Sequence, residues 1–294
     1  MDIVQNPHDK FFKETLSQKK NAVSFLKNYL PKELLKHIIP ENIAIEKDSY
    51  ITDELKEYFS DILYKVELQD GEGYIYTLFE HKSSPALNVG LQLLEYLLQI
   101  WKAKKKNNQD LPVIIPIIVY HGQQDWNIAN KFSKQITINA EIFKKYTPQF
   151  EFIVHDLSQE DIIGTEELKA RLKLMKYINS DLQELLENTF KEIIGLDIKS
   201  GIIYIFSARN EDEEKIIYKA QKIDPKGGNI MKSTAEKLIQ KGKEEGKREG
   251  KEEGWIEGKI EDAKNMLKEG IEINTICKVT GLSKKKVKKL KKNL

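Results

Sequence analysis

The run "LPVIIPIIVY", residues 111–120, restricts the fold of this chain more than any other stretch. It is too short to span a bilayer, which needs about 20 apolar residues. It is also too uniformly apolar and β-branched to lie on a surface, so it reads as a strand covered on both faces. Pro116 cannot donate to a ladder and marks an edge or a bulge. A strand covered twice requires layers, and its neighbours supply them. Ahead of it, "ALNVGLQLLEYLLQIWKAKKKNNQ" spaces Leu87, Leu91, Leu94, Leu98 and Trp101 at alternating steps of four and three, a helix with one buried stripe. Before that helix, "YKVELQDGEGYIYTLFEHKSS" reads as a hairpin turning at Asp70-Gly71, a pair suited to a type I′ turn. After the run, "FEFIVHDL" is a further strand. The order helix, hairpin, long helix, strand is that of an α/β sandwich.

The remaining sequence adds helices on both sides. "NPHDKFFKETLSQKKNAVSFLKNYLPKELLKHI" reads as two or three short helices, with Pro31 in a first turn or at a break, and residues 160–222 are helical in pattern. With 294 residues the chain exceeds what one core serves, so a domain plus an appendage is expected. "DPKGGN", residues 224–229, reads as the linker between them. Beyond it Gly242, Gly246, Gly250, Gly254 and Gly258 recur every fourth residue among Lys and Glu, which suits either a close-packing glycine stripe or a solvated spacer. The end of the chain reads as three short helices, with Gly270 and Gly281 as breaks and Ser283 as an N-cap, a small helix-turn-helix-like unit.

A lone cysteine, Cys277, excludes a disulfide framework, and the N-terminus lacks the basic and apolar blocks of a signal peptide, so a cytoplasmic protein with no membrane partner is expected. Formal net charge is only +2, but "GLSKKKVKKLKKNL" holds seven lysines and no acid. Lys284, Lys285, Lys288 and Lys292 of that helix suit phosphate contacts.

The hairpin poses the chemical question, because its apolar second strand ends in Glu80, His81 and Lys82. With Asp70-Gly71 as the central pair, Asp61 faces Glu80. Two opposed carboxylates repel unless a cation lies between them, and oxygen ligands suit magnesium or manganese. Lys82 shares the strand face of Glu80 and could orient a metal-bound water or offset charge on a phosphate oxygen. The alternatives are a capping aspartate and a solvated Glu-x-Lys face; a three-residue loop would instead set Asp61 opposite His81.

"SDILYKVEL…YIYTLFEHKSS…LQLLEYLLQIW…IIPIIVYHG", together with "PHDKFF", resembles the PD-(D/E)XK nuclease superfamily and, within it, the Rpn family of recombination-promoting nucleases, also described as transposases. The resemblance implies a restriction-endonuclease-like α/β sandwich with a mixed sheet. It also implies magnesium-dependent DNA endonuclease activity in bacteria, tied to recombination and, for some members, to phage defence. Carried onto matching positions, it makes Asp61 and Glu80 the metal ligands and Lys82 the motif lysine. "QLLEY" matches the Gln-x-x-x-Tyr signature of some branches, giving Gln92 and Tyr96, which share a helix face at i and i+4. No proline precedes Asp61.

The backbone carbonyl of His81 is a further candidate ligand, and His121, in "YHG", could touch substrate. His8 and Asp9 read as a helix cap. The resulting layout is a nuclease domain with helical extension over residues 1–225, a linker and Gly-Lys-Glu repeat over 226–260, and a lysine-rich unit over 261–294 that pairs two protomers or docks DNA. Two rival readings remain: an inactive nuclease fold kept for binding or oligomerisation, and a DDE-type transposase, which needs a third acid on a later helix.

Overall fold

The structure, a computed structural model, describes residues 6–46, 61–69, 71–80, 87–137 and 141–292. For Asp61 and Glu80 it describes the backbone alone, and His81 and Lys82 lie outside the described residues. Among the described residues five strands form one sheet in chain order: β1 (Ala44–Ile45), β2 (Asp61–Leu68), β3 (Gly71–Glu80), β4 (Val113–Tyr120) and β5 (Ile153–Asp156). The first three pair antiparallel, while β3, β4 and β5 run parallel, so the sheet is mixed. A parallel neighbour requires a crossover. Between β3 and β4 the described crossover element is helix Val89–Lys106.

Pleat alternation sorts the sheet into two faces. Tyr76, Leu78, Ile118, Tyr120 and Phe152 form one core cluster with Val89, Leu93, Tyr96 and Ile100 of the crossover helix. The other face receives helices α1 (Pro7–Ser17) and α2 (Lys19–Tyr29). There the buried Tyr64 hydroxyl donates to the Leu16 carbonyl at 2.7 Å. The short α3 (Lys32–Leu35) follows Pro31, so the crossover helix is α4.

Helices α5 (Glu166–Tyr177), α6 (Leu182–Gly195), α7 (Lys199–Ala208) and α8 (Glu213–Ile223) extend this unit. Thr165, Asp181 and Asp212 cap three of them by accepting backbone N–H groups of the following turn.

Several expectations from the sequence change. The leucine stripe is not the buried one: Leu87, just ahead of α4, and Leu91 and Leu98 within it are 85%, 59% and 44% exposed. The helix buries Val89, Leu93, Tyr96, Leu97 and Ile100 instead, because it is apolar on two sides and the sheet covers only one. Pro116 is neither at a bulge nor on an outer strand. It pairs with Tyr76 of β3, while β5 joins β4 only from Ile117 onward, so its missing donor falls where β4 is locally an edge.

The hairpin closes one step earlier than expected. Leu68 pairs with Gly71, leaving residues 69 and 70 as the connection. Gln69 is held outside the ladder by its N–H to the His37 carbonyl at 3.2 Å and by its side-chain amide to the Lys36 carbonyl at 2.8 Å.

The stretch expected as a linker opens a helix, α9 (Pro225–Lys268). Asp224 accepts the Lys226 N–H at 3.1 Å, and Pro225 takes the first helical position, where no donor is needed. The glycine repeat lies inside this helix, and Gly246, Gly250, Gly254 and Gly258 have open space where a Cβ would stand. The described residues divide into two compact units on either side of Ala235, so the division falls within α9. In the second unit, the end of α9, α10 (Ile273–Thr280) and α11 (Lys284–Lys292) enclose a core of Ala263, Ile276 and Val287. Gly281, at φ 70°, ends α10, and the Ser283 hydroxyl accepts the Lys286 N–H at 3.3 Å. Among the described residues no helix is long and apolar enough to cross a membrane.

Candidate active site

The C-terminal ends of β3, β4 and β5 form one edge, where Glu80 lies beside Tyr120 and Tyr120 beside Asp156. Open α/β sheets place their sites at such an edge. Asp61 opens β2 at the same edge, but its direct partner is Leu78, not Glu80. Position 80 is two residues further along, so Asp61 and Glu80 stand diagonally, about 7–8 Å apart by typical sheet geometry. A slip of two residues preserves pleat parity, whereas a slip of one would reverse it. Positions 61, 78 and 80 therefore share the face that α4 covers.

Helix α4 brings Gln92 and Tyr96 to that face. Tyr96 is buried with its ring 4.9 Å from that of Tyr76. Gln92 is one helical turn before Tyr96, on the flank of the buried side. Its Nε2 is buried and has no hydrogen-bond partner among the described residues. Leaving a buried amide donor unpaired costs about 1–3 kcal/mol, so a ligand that accepts from it would be favoured.

The other candidates lie elsewhere. Asn6, not His8 or Asp9, holds the N-cap position of α1, and it makes no side-chain cap bond. Asp9 instead falls in the first turn, where a carboxylate complements the helix dipole. His8 Nδ1 meets the Tyr204 hydroxyl at 2.7 Å, and its ring lies 5.8 Å from that of His121. His121 is 2% exposed. Burial, and then the Asp9 charge, push the Tyr204 hydroxyl well above the usual phenol range. His121 thus packs against His8 of α1, one residue past Tyr120, the position beside Glu80. Tyr204 had no sequence signal beyond membership of an apolar helix. A cleft of about 620 Å³ opens at the opposite end of the sheet, lined by His37, Gln69, Tyr74 and Lys104.

Among the described residues no group of three or more His, Cys, Asp or Glu could hold a metal ion. Two carboxylate positions on the sheet face that α4 covers could hold a hard divalent cation whose remaining ligands are water and phosphate. In the second unit Lys284, Lys285, Lys288 and Lys292 are all exposed on α11, the second helix of the pair α10–turn–α11.

The family profile described as "Putative transposase, YhgA-like" matches residues 6–200, well over half of the chain. The chain belongs to this family. A second profile, the C-terminal HTH domain of the Rpn/YhgA-like nuclease family, matches residues 257–292, the stretch that encloses the second core. The Escherichia coli (strain K12) recombination-promoting nuclease RpnA is 26% identical over 309 residues, covering 96% of each chain. Recombination-promoting nuclease RpnC of the same strain is 26% identical over 81% of this chain and 82% of its own. The inactive recombination-promoting nuclease-like protein RpnE is 34% identical over 119 residues, 40% of each chain. No solved structure matches the chain.

Proposed function

We propose that this Rpn/YhgA-like family member is a magnesium-dependent DNA endonuclease of the PD-(D/E)XK type, acting in the bacterial cytoplasm in recombination or phage defence. The supporting observation is the placement of positions 61 and 80 on one sheet face, at one edge, on the side covered by α4, whose Gln92 amide nitrogen is buried and without a partner among the described residues. Asp61 and Glu80, with the His81 carbonyl, would hold magnesium, or manganese in its place. The bound cation would supply Lewis-acid polarisation of the phosphate and a more acidic water. Lys82, two residues beyond Glu80, shares its parity and offsets negative charge growing on the phosphate oxygens. Gln92 donates its amide to a phosphate oxygen or to the attacking water, which fixes the line of attack. Tyr96 supports Gln92 from the next turn.

The helix-turn-helix unit docks DNA through the α11 lysines and pairs protomers, so that two single-site domains reach both strands. The naming of RpnE as inactive favours a second reading, a nuclease fold retained for DNA binding alone. Incubating supercoiled plasmid with the full chain separates the two. Magnesium-dependent nicking or linearisation that a chelator abolishes supports the endonuclease. DNA binding with no cut at any magnesium or manganese concentration supports the rival.

A further inference from the structure

Between β4 and β5 the chain makes a long excursion whose tip is a 3-10 turn, Glu141–Tyr146. The base of the excursion is fixed. The Phe132 N–H donates to the Phe150 carbonyl and the Phe152 N–H to the Asn130 carbonyl, each at 3.0 Å. The rings of Phe132 and Phe150 stack with centroids 5.1 Å apart. Phe132 seats on the first turn of α4 at Gly90, where a Cβ would come within 2.8 Å of its ring and 2.2 Å of Gln135 Oε1. Only a glycine admits this approach, and it anchors the excursion two residues from Gln92.

The tip is the reverse of its base. Ile142, Phe143 and Tyr146 are 64%, 56% and 75% exposed, three large apolar side chains within six residues. Isolated exposed apolar residues are ordinary, but a cluster of this kind on one projection marks a contact surface. Lysines outnumber acids along it: residues 131–151 hold Lys131, Lys134, Lys144 and Lys145 against Glu141 and Glu151, with Lys131 paired to Glu151 at the base and Lys144 and Lys145 in the turn itself. Lys144 pairs with Glu141 at 2.5 Å, and Lys145 lies 5.0 Å over the Tyr146 ring. Exposed rings interleaved with lysines suit stacking on bases while the cations follow the phosphates.

We propose that the turn Glu141–Tyr146 is a nucleic-acid contact in which Phe143 and Tyr146 stack on bases taken out of the duplex stack and Lys144 and Lys145 bind the adjoining phosphates. The excess positive charge favours DNA over a second copy of the chain as the occupant. The proposal rests on the nuclease reading for the identity of the polymer, and it adds a preference for unpaired or distorted DNA, since stacked bases hide their faces.

The test measures binding of the full chain in chelator, without cleavage, to a labelled duplex with a central unpaired stretch and to its fully paired counterpart. The Phe143→Ala/Tyr146→Ala protein should lose about tenfold or more in affinity for the unpaired site. It should keep the parent's salt dependence and thermal unfolding, because both rings are solvent-exposed. The Lys144→Gln/Lys145→Gln protein should bind both DNAs more weakly with a flatter salt dependence. Equal binding of the unpaired site by parent and aromatic double variant overturns the proposal. So does a double variant that breaks a parent oligomer in sedimentation while DNA affinity is unchanged, which would make a second copy the occupant. A chain that cuts nothing with magnesium yet loses affinity on the aromatic substitution keeps this contact and loses the nuclease reading. A chain that cuts but binds both DNAs alike in either form does the opposite.

Discussion

Gln92 sits on the flank of the buried side of α4 with its amide nitrogen enclosed and unpartnered among the described residues. A buried donor with no acceptor weakens the fold, so Gln92→Leu should leave the thermal midpoint unchanged or raise it by up to a few degrees. If the amide contacts substrate, the same change should cut the cleavage rate at least tenfold. Normal turnover with a lowered midpoint would mark Gln92 as a core amide. Tyr204 offers the complementary case. Its hydroxyl meets His8 Nδ1 at 2.7 Å in a cluster on α1, the helix that covers the other sheet face, and the cluster also includes the His121 ring. Tyr204→Phe should therefore cost about 1 kcal/mol of stability and leave the cleavage rate unchanged. A lost rate at unchanged stability would draw His8 and His121 into the chemistry. The sequence exposed His121 as a candidate through its place after an apolar strand, but the His8 ring it packs against is over a hundred positions away. Local pattern carries no signal of that kind.

At the scale of elements, the hairpin and α4 show where sequence patterns reach their limit. Alternation within β3 makes the face of Glu80 legible, and that face survives because the observed register differs from the expected one by two residues. The closing pair was not legible, since it depends on hydrogen bonds from Gln69 to Lys36 and His37, residues outside the hairpin. In α4 the leucines at steps of four and three form a genuine stripe, yet the sheet takes the opposite side. Two apolar stripes on one helix leave the choice to tertiary packing. The glycine series of α9 sets another test. Among the described residues, nothing beyond the helix's own nearby backbone and the adjoining residues lies within 4 Å of where a Cβ would stand on Gly246, Gly250 or Gly254. If that side faces solvent, alanine at the three positions should stabilise the helix by about 1 kcal/mol each, read as a higher thermal midpoint of the second unit. If the stripe brings two helices together, the same alanines should weaken self-association instead, and sedimentation would show it.

Across the whole molecule, the sheet-and-helix layering and the compact C-terminal unit follow from pattern: an apolar strand needing two covers, helices on either side, and glycine breaks at positions 270 and 281. The division between units was less legible, because Pro, Gly and Asn at residues 225–229 look like a flexible joint and instead begin a helix under an Asp224 cap. Met231 is fully buried, so a truncation meant to isolate the first unit should fall after Thr234. That shortened protein should bind DNA more weakly, with a flatter salt dependence, because it lacks the α11 lysines. It should still cut when protein and magnesium are raised; loss of all cutting would place part of the chemistry in the second unit. If Asp61 and Glu80 form the proposed metal-dependent cutting site, the plasmid cleavage rate of Asp61→Ala and Glu80→Ala full-length proteins at saturating magnesium reads it out most directly. Both should fall by at least about a thousandfold, the loss expected when a metal-assisted step forfeits several kcal/mol, with thermal midpoints at or above the parent's. Cleavage by either variant at the parent rate would contradict the site.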